Sequence, residues 1–456
     1  MSYFDQAVST EQFLGSHKIN TNDGISWRRV ADGQGTHTLY HGSAGIILFY
    51  MELYLSTKEQ SYLDTLRAAG DDLLAYIIRK AQAKAFITIG FYSGWPGYVY
   101  VLNELYKLTA DEKYKSGALM ALDRITAQSS ALGDGIGWVE PIPFSDITGI
   151  TGEREVIDLS VGAAGAGIIY LYAFREGLLA DTTLAEKTAD RLLEVGEDTP
   201  DGIRWLMMAD MPFPFTAPNF AHGGAGVGYF LADLYRETKA QAYLDAALSA
   251  AEYIKTRTVT SGAGILVCHT EEQQPPSTFY LGVCHGPAGT GRFMYLLNQI
   301  TGDTRYIDWL GANFEGMLST GAPEQRSKGL WQNYGQCCGD AGIGDYALFL
   351  FSVTGDEKYL NYAEKTAKHI VNQGNDTAGL SWQTAEHRDR RDFLETQTGY
   401  MQGAAGIASF LLHIDSVLNH MPVKMILPET PFSYHETHGQ LARSRHSCPT
   451  TSADRQ

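Results

Sequence analysis

The sequence predicts an all-α fold, an α/α toroid of seven inner and about seven outer helices with short β-hairpins between the units. Three observations carry that expectation. Glycine clusters recur seven times along the 456 residues, each opens an apolar segment, and in most units an amphipathic segment follows.

The clusters read HGSAGI from His41, SGWPGY from Ser93, VGAAGAG from Val161, HGGAGVG from His222, HGPAGTG from His285, CGDAGIG from Cys338 and QGAAGI from Gln402. Their second glycines, Gly45, Gly97, Gly165, Gly226, Gly289, Gly342 and Gly406, are 52 to 68 residues apart, a period near sixty. After each comes a run such as IILFYMELYL or IASFLLHI, apolar nearly all round, as in a helix buried on every side. Turns such as TADEKYK and TGDEKYL then lead into YLDTLRAAGDDLLAYIIRKA or YLNYAEKTAKHIVNQG, where apolar residues recur at three and four with charges between. These are outer, half-exposed helices. A smaller echo, GISW, GIGW, GIRW and GLSW, ending at Trp27, Trp138, Trp205 and Trp382, marks hairpins or extended connectors, with looser versions in GILVC and GLW.

An open solenoid needs polar end repeats, and the first and last inner segments are as apolar as the middle ones, so the array is expected to close into a ring. Residues 3–14 supply the seventh outer helix. Small residues let helix N-termini converge at one mouth, which accounts for many of the 48 glycines. One domain is expected over residues 1–427, and the polar stretch 428–456, which contains Cys448, reads as a disordered tail.

Composition narrows the function. Hydrophobic residues make up 44% and the formal net charge is −17, which argues against a phosphate backbone or an anionic membrane as partner. The N-terminus lacks a signal-peptide pattern and no window is long and apolar enough to span a membrane, so a soluble, cytoplasmic monomer is expected. Five cysteines do not make a disulfide framework.

Three of those cysteines fall on neighbouring glycine loops: Cys284 in the fifth unit, Cys337 and Cys338 in the sixth. Catalytic zinc takes three protein ligands and keeps a fourth position open, and thiolates suit it. The competing reading is that small thiols merely fill a glycine-rich core, which we assign to Cys268 and Cys448. His222 stands on the matching loop of the fourth unit. No phosphate-binding Gly-x-x-x-x-Gly-Lys loop accompanies the glycines.

The sevenfold pattern, with AHGGAG at 221–226, VCHGPAG at 283–289 and QCCGDAG at 336–342, resembles the lanthionine synthetase C-like family over roughly residues 38–420. The resemblance implies an α/α toroid with a zinc ion at its mouth and an activity in which cysteine thiols add to dehydroalanine or dehydrobutyrine, forming thioether rings in a dehydrated precursor peptide. It implies Cys284 and Cys337 as zinc ligands and Cys338 as the third, where most members have histidine. A three-cysteine variant is known among some bifunctional lanthipeptide synthetases. It also implies His222 as the catalytic histidine, the proton donor to the α-carbon, and Asp158 as the aspartate that orients it or receives the thiol proton. Two positions depart from the family pattern: Val283 stands for tryptophan, and STFYLGV lacks the expected arginine, with Tyr280 in the stretch. CHG also occurs literally at Cys284-His285-Gly286, and His285 is expected beside the ligands rather than among them. A substrate sulfur on three thiolates would carry more negative charge than on a Cys₂His set, which predicts a more reactive nucleophile.

A separate dehydratase and a transporter are implied partners, since the chain has no further large domain. Three other readings stay open: addition of glutathione to dehydro residues in proteins, a non-catalytic toroidal binding module, and an α/α-toroid carbohydrate enzyme. The last needs paired carboxylates, for which the glycine loops offer only Asp158 and Asp340.

Overall fold

The computed structural model describes residues 1–31, 33–142, 149–210, 217–271 and 278–431. Among these lie fourteen α-helices. Helix α1 spans Tyr3–Ser16. Seven pairs are then completed by α2 (Ser43–Thr57) and α3 (Gln60–Gln82), α4 (Trp95–Thr109) and α5 (Glu112–Gln128), α6 (Ala163–Arg175) and α7 (Thr183–Val195), α8 (Gly224–Thr238) and α9 (Gln241–Thr256), α10 (Pro287–Thr301) and α11 (Arg305–Leu318), α12 (Asp340–Thr354) and α13 (Glu357–Gln373), and finally α14 (Ala404–Leu418).

The even-numbered helices form the inner ring. Each packs on the next, and α14 packs back on α2, so the ring is closed. Each outer helix lies against the inner helix before it, while α1 covers α14 as the seventh outer helix. The expected α/α toroid is therefore the fold of the chain. Inner helices are buried almost throughout; outer helices bury one face, as the apolar spacing of Tyr359, Tyr362, Ala363, Thr366, Ala367 and Ile370 in α13 illustrates.

The glycines have a more specific cause than convergence alone. Each inner helix begins on an extended glycine, from Gly42 to Gly403, with no positive φ. The second glycine of each loop lies under the carbonyl six residues back: a Cβ on Gly289 would stand 1.9 Å from the Val283 oxygen, and one on Gly165 would stand 2.1 Å from the Leu159 oxygen. The side chain on that same loop residue then covers the second glycine of the next unit. Leu159 covers Gly226, Phe220 covers Gly289, and Tyr400 covers Gly45, which closes the sequence.

The hairpins are β1–β2 (Lys18–Asn20, Ile25–Trp27), β3–β4 (Ser130–Leu132, Gly135–Gly137), β5–β6 (Val139–Pro141, Glu153–Glu155), β7–β8 (Glu197–Thr199, Gly202–Arg204), β9–β10 (Thr258–Ser261, Gly264–Val267) and β11–β12 (Gln383–Thr384, Glu395–Thr396), all antiparallel. The tryptophan echo ends outer helices. The indoles of Trp138, Trp205 and Trp382 donate to the Ile125, Leu192 and Ile370 carbonyls near the ends of their helices, that of Leu192 also accepting from the Gly196 N–H. In the first unit, Ser16 and His17 take the equivalent Phe13 carbonyl and the Trp27 indole N–H has no partner among the described residues. GLSW forms only a bridge, Asn375 to Ser381, and GLW no strand.

The expected boundary at 427 falls within packed chain. After α14 the backbone turns back into the ring, where the Tyr100 hydroxyl donates to the Ile426 carbonyl at 3.0 Å. Glu429 is fully buried, accepts from the Tyr92 hydroxyl at 2.9 Å and pairs with Arg292 at 3.1 Å. A buried carboxylate with two such partners belongs to the core. The rest of the expected tail, 432–456, lies outside the described residues.

A candidate metal and acid–base site at the mouth of the ring

The two residues before the first glycine of each loop point to the same place. Tyr40-His41, Tyr92-Ser93, Ser160-Val161, Ala221-His222, Cys284-His285, Cys337-Cys338 and Met401-Gln402 all line one cavity of about 420 Å³. A belt of backbone hydrogen bonds holds them in register. The Ser160 N–H donates to Ala221, Ala221 to Cys284, Cys284 to Cys337, Cys337 to Met401, Met401 to Tyr40 and Tyr40 to Tyr92, over 2.8 to 3.2 Å. Side chains fifty residues apart are thereby neighbours.

On this belt the three cysteines converge. Cys284 Sγ lies 3.2 Å from Cys338 Sγ, which lies 3.5 Å from Cys337 Sγ, and all three sulfurs are within 4.8 Å of one another. The group can hold a metal ion. The three thiols perturb one another strongly. Hydrogen bonds from Cys284 and Cys338 hold the Cys337 thiol well below its usual range, and the same contact with Cys337 pushes Cys284 up. The Tyr40 hydroxyl hydrogen-bonds Cys337 and accepts from the Gln402 amide at 2.8 Å.

Beside the cysteines, on the fourth unit, His222 Nδ1 meets Asp158 Oδ2 at 2.8 Å. Asp158 is fully buried, and its Oδ1 accepts the Val161 N–H at 2.7 Å, so both oxygens are committed. Burial opposes the imidazolium of His222, and the Asp158 carboxylate outweighs it, so its pKa is raised.

His285 is outside the sulfur group. Its ring lies 5.3 Å from that of His222 and 4.4 Å from that of His269. Burial keeps His269 and His285 neutral, holding the first at about 3 and the second well below its ordinary value. Tyr280 stacks on His269, and the Arg388 guanidinium, 5.7 Å from the Tyr280 ring, brings a cation to this wall from a distant segment. Cys268 is buried outside the sulfur group. Asp340 is no catalytic carboxylate of this cavity, being fully buried in a two-point pair with Arg326 at 2.7 and 2.8 Å.

Two cavity residues not singled out in the sequence form a second histidine–carboxylate pair. His41 Nε2 meets Glu386 Oε1 at 2.9 Å. HGSAG at His41 repeats the word HGGAG at His222, a signal the sequence carries; nothing local marks Glu386, which comes from 345 residues further on.

A family model described as lanthionine synthetase C-like protein matches residues 33–421. No curated protein sequence matches the chain at a significant level. Among solved structures, a nisin cyclase superposes with a TM-score of 0.59 at 17% identity, over 87% of this chain and 90% of that one. A D-mannose isomerase superposes with a TM-score of 0.50 at 12% identity, over 91% and 97%. At such identities the likeness is one of fold.

Proposed function

The chain belongs to the lanthionine synthetase C-like family, and from that premise we propose that it is a zinc-dependent cyclase that adds cysteine thiols of a dehydrated peptide to dehydroalanine or dehydrobutyrine. The observation that carries this reading is the shared cavity wall: three cysteine sulfurs within 4.8 Å of one another, beside a histidine bonded to a buried aspartate.

Cys284, Cys337 and Cys338 are the metal ligands. Thiolates ~2.3 Å from a tetrahedral zinc stand roughly 3.8 Å apart, which suits the spacing of this cluster. Zinc bound there supplies the chemistry of a held thiolate at neutral pH, where a free thiol of pKa ~8.5 is mostly protonated. Attack of the substrate sulfur on the β-carbon moves the double-bond electrons onto the neighbouring carbonyl, and the resulting enolate needs a proton at the α-carbon. His222 delivers it from Nε2. Asp158 fixes the tautomer and stabilises the imidazolium, and so acts as an orienting group. The nisin cyclase likeness supports a peptide substrate, and the peptide is dehydrated beforehand by a separate enzyme.

The test is zinc stoichiometry on the wild type and on Cys284→Ala, coupled to mass-spectrometric thiol alkylation of a dehydrated peptide. About one zinc per chain, lost in the variant together with ring formation, is expected. Full ring formation by the zinc-free variant ends the reading.

A further inference from the structure

Thiol addition moves two protons: one leaves sulfur and one arrives at the α-carbon. The cyclase reading, on which this inference rests, gives the second to His222 and assigns no acceptor to the first.

The belt shows where an acceptor stands. The cysteine units have the His222 loop on one side, joined through Ala221 to Cys284, and on the other side the chain Cys337 to Met401 to Tyr40, which ends beside His41. His41 lines the same cavity. Its Nε2 is committed to Glu386, and among the described residues no hydrogen bond engages its Nδ1. Glu386 is itself fixed, accepting from the Gln397 amide at 3.0 Å and lying 3.6 Å from Arg29. Burial works against its charge, but His41, Gln397 and Arg29 together hold its pKa down to about 2. It is a permanent anion at the back of the ring.

We propose that His41, held by Glu386, is a second acid–base group of this cavity and takes the proton of the substrate thiol, while His222 on the opposite flank supplies the proton to the α-carbon. The two pairs are mirror arrangements. Asp158 holds His222 by Nδ1, whereas Glu386 holds His41 by Nε2 and leaves its Nδ1 to the cavity. In the step, the S–H bond breaks with its proton going to His41 Nδ1, the C–S bond forms at the β-carbon, and the α-carbon takes the proton of His222. Only after the thioether has formed does the His41 proton pass to solvent and His222 regain one, so the thiol's proton stays on His41 while the thiol is merely bound and the cycle closes with no net proton. Glu386 acts through His41 as a positioning residue and stabilises the imidazolium as it forms.

Proton release on thiol binding tests this without turnover. Zinc-loaded protein is titrated with 2-mercaptoethanol by calorimetry in two buffers of different ionisation enthalpy, which gives the protons passed to solution. We expect His41→Gln to release about one more proton per bound thiol than the wild type, and Glu386→Gln to fall between, because an amide cannot stabilise the imidazolium. Equal release from all three, with zinc retained, overturns the inference and leaves the cyclase reading standing. A wild type that binds no zinc at the three cysteines overturns both.

Discussion

Units two and three of the ring and units five and six share one loop design and differ in what it carries. All four loops start an inner helix on an extended glycine, lay a side chain over the next unit's second glycine and present two residues to the mouth. In units two and three those residues are Tyr92-Ser93 and Ser160-Val161; in units five and six they are Cys284-His285 and Cys337-Cys338. The backbone is thus a common holder, and chemistry is chosen at two positions per loop. Unit three still contributes, from one layer below, the Asp158 that holds the neighbouring histidine.

If the holder is common, damage to it costs alike wherever it falls. Gly289→Val in a cysteine unit and Gly165→Val in a unit without cysteines both drive a side chain into a carbonyl about 2 Å away, and each is expected to cost about 2–4 kcal/mol in denaturant unfolding. A tolerated Gly165→Val would break the equivalence of the two sides.

A second asymmetry lies lower in the ring, where His413 Nδ1 and Nε2 meet Asp345 and Glu52, each at 2.7 Å. Burial opposes charge on His413, yet the two carboxylates outweigh it and hold its pKa well above the ordinary value. A histidine whose folded value is raised contributes stability that is complete below its unfolded value of ~6.5 and is lost as pH rises through the folded one. The destabilisation caused by His413→Gln, read by urea unfolding, is therefore expected to be larger at pH 6 than at pH 9. A difference of the opposite sign refutes the charged triad.

The smallest effect concerns the tryptophans. Trp205→Phe removes a hydrogen bond to Leu192 and is expected to cost ~1 kcal/mol, whereas the same change at Trp27, whose N–H has no partner among the described residues, costs close to nothing. Matching losses at both sites would show that indole packing, not capping, is what the echo preserves.

Much of this was legible because the fold is periodic. Seven glycine words and seven apolar runs can form only a few arrays, and closure followed from the absence of a polar end unit. The cysteines were legible because neighbouring copies of one loop must be neighbours in space. What stayed hidden depends on contacts with no period. Glu386 reaches His41 from an irregular segment between the last outer and inner helices, and Glu429 enters the ring from a stretch whose polarity reads as tail because its partners, Tyr92 and Arg292, lie far back in the chain. Asp340, one of two loop carboxylates, is taken up by Arg326, a pairing no local pattern announces. The glycines themselves were read as room for helices to converge, while the tighter constraint is each loop's own carbonyl.

Tyr400 over Gly45, and α1 over α14, make the first and last units neighbours like any others. A linear array of repeats can fray from either end, one unit at a time. A ring has no end from which to begin, so opening any unit exposes two interfaces at once and the inner helices are expected to unfold together. Amide protons of α2 and α14, at the two extremes of the sequence, should then exchange as slowly as those of α8 in the middle.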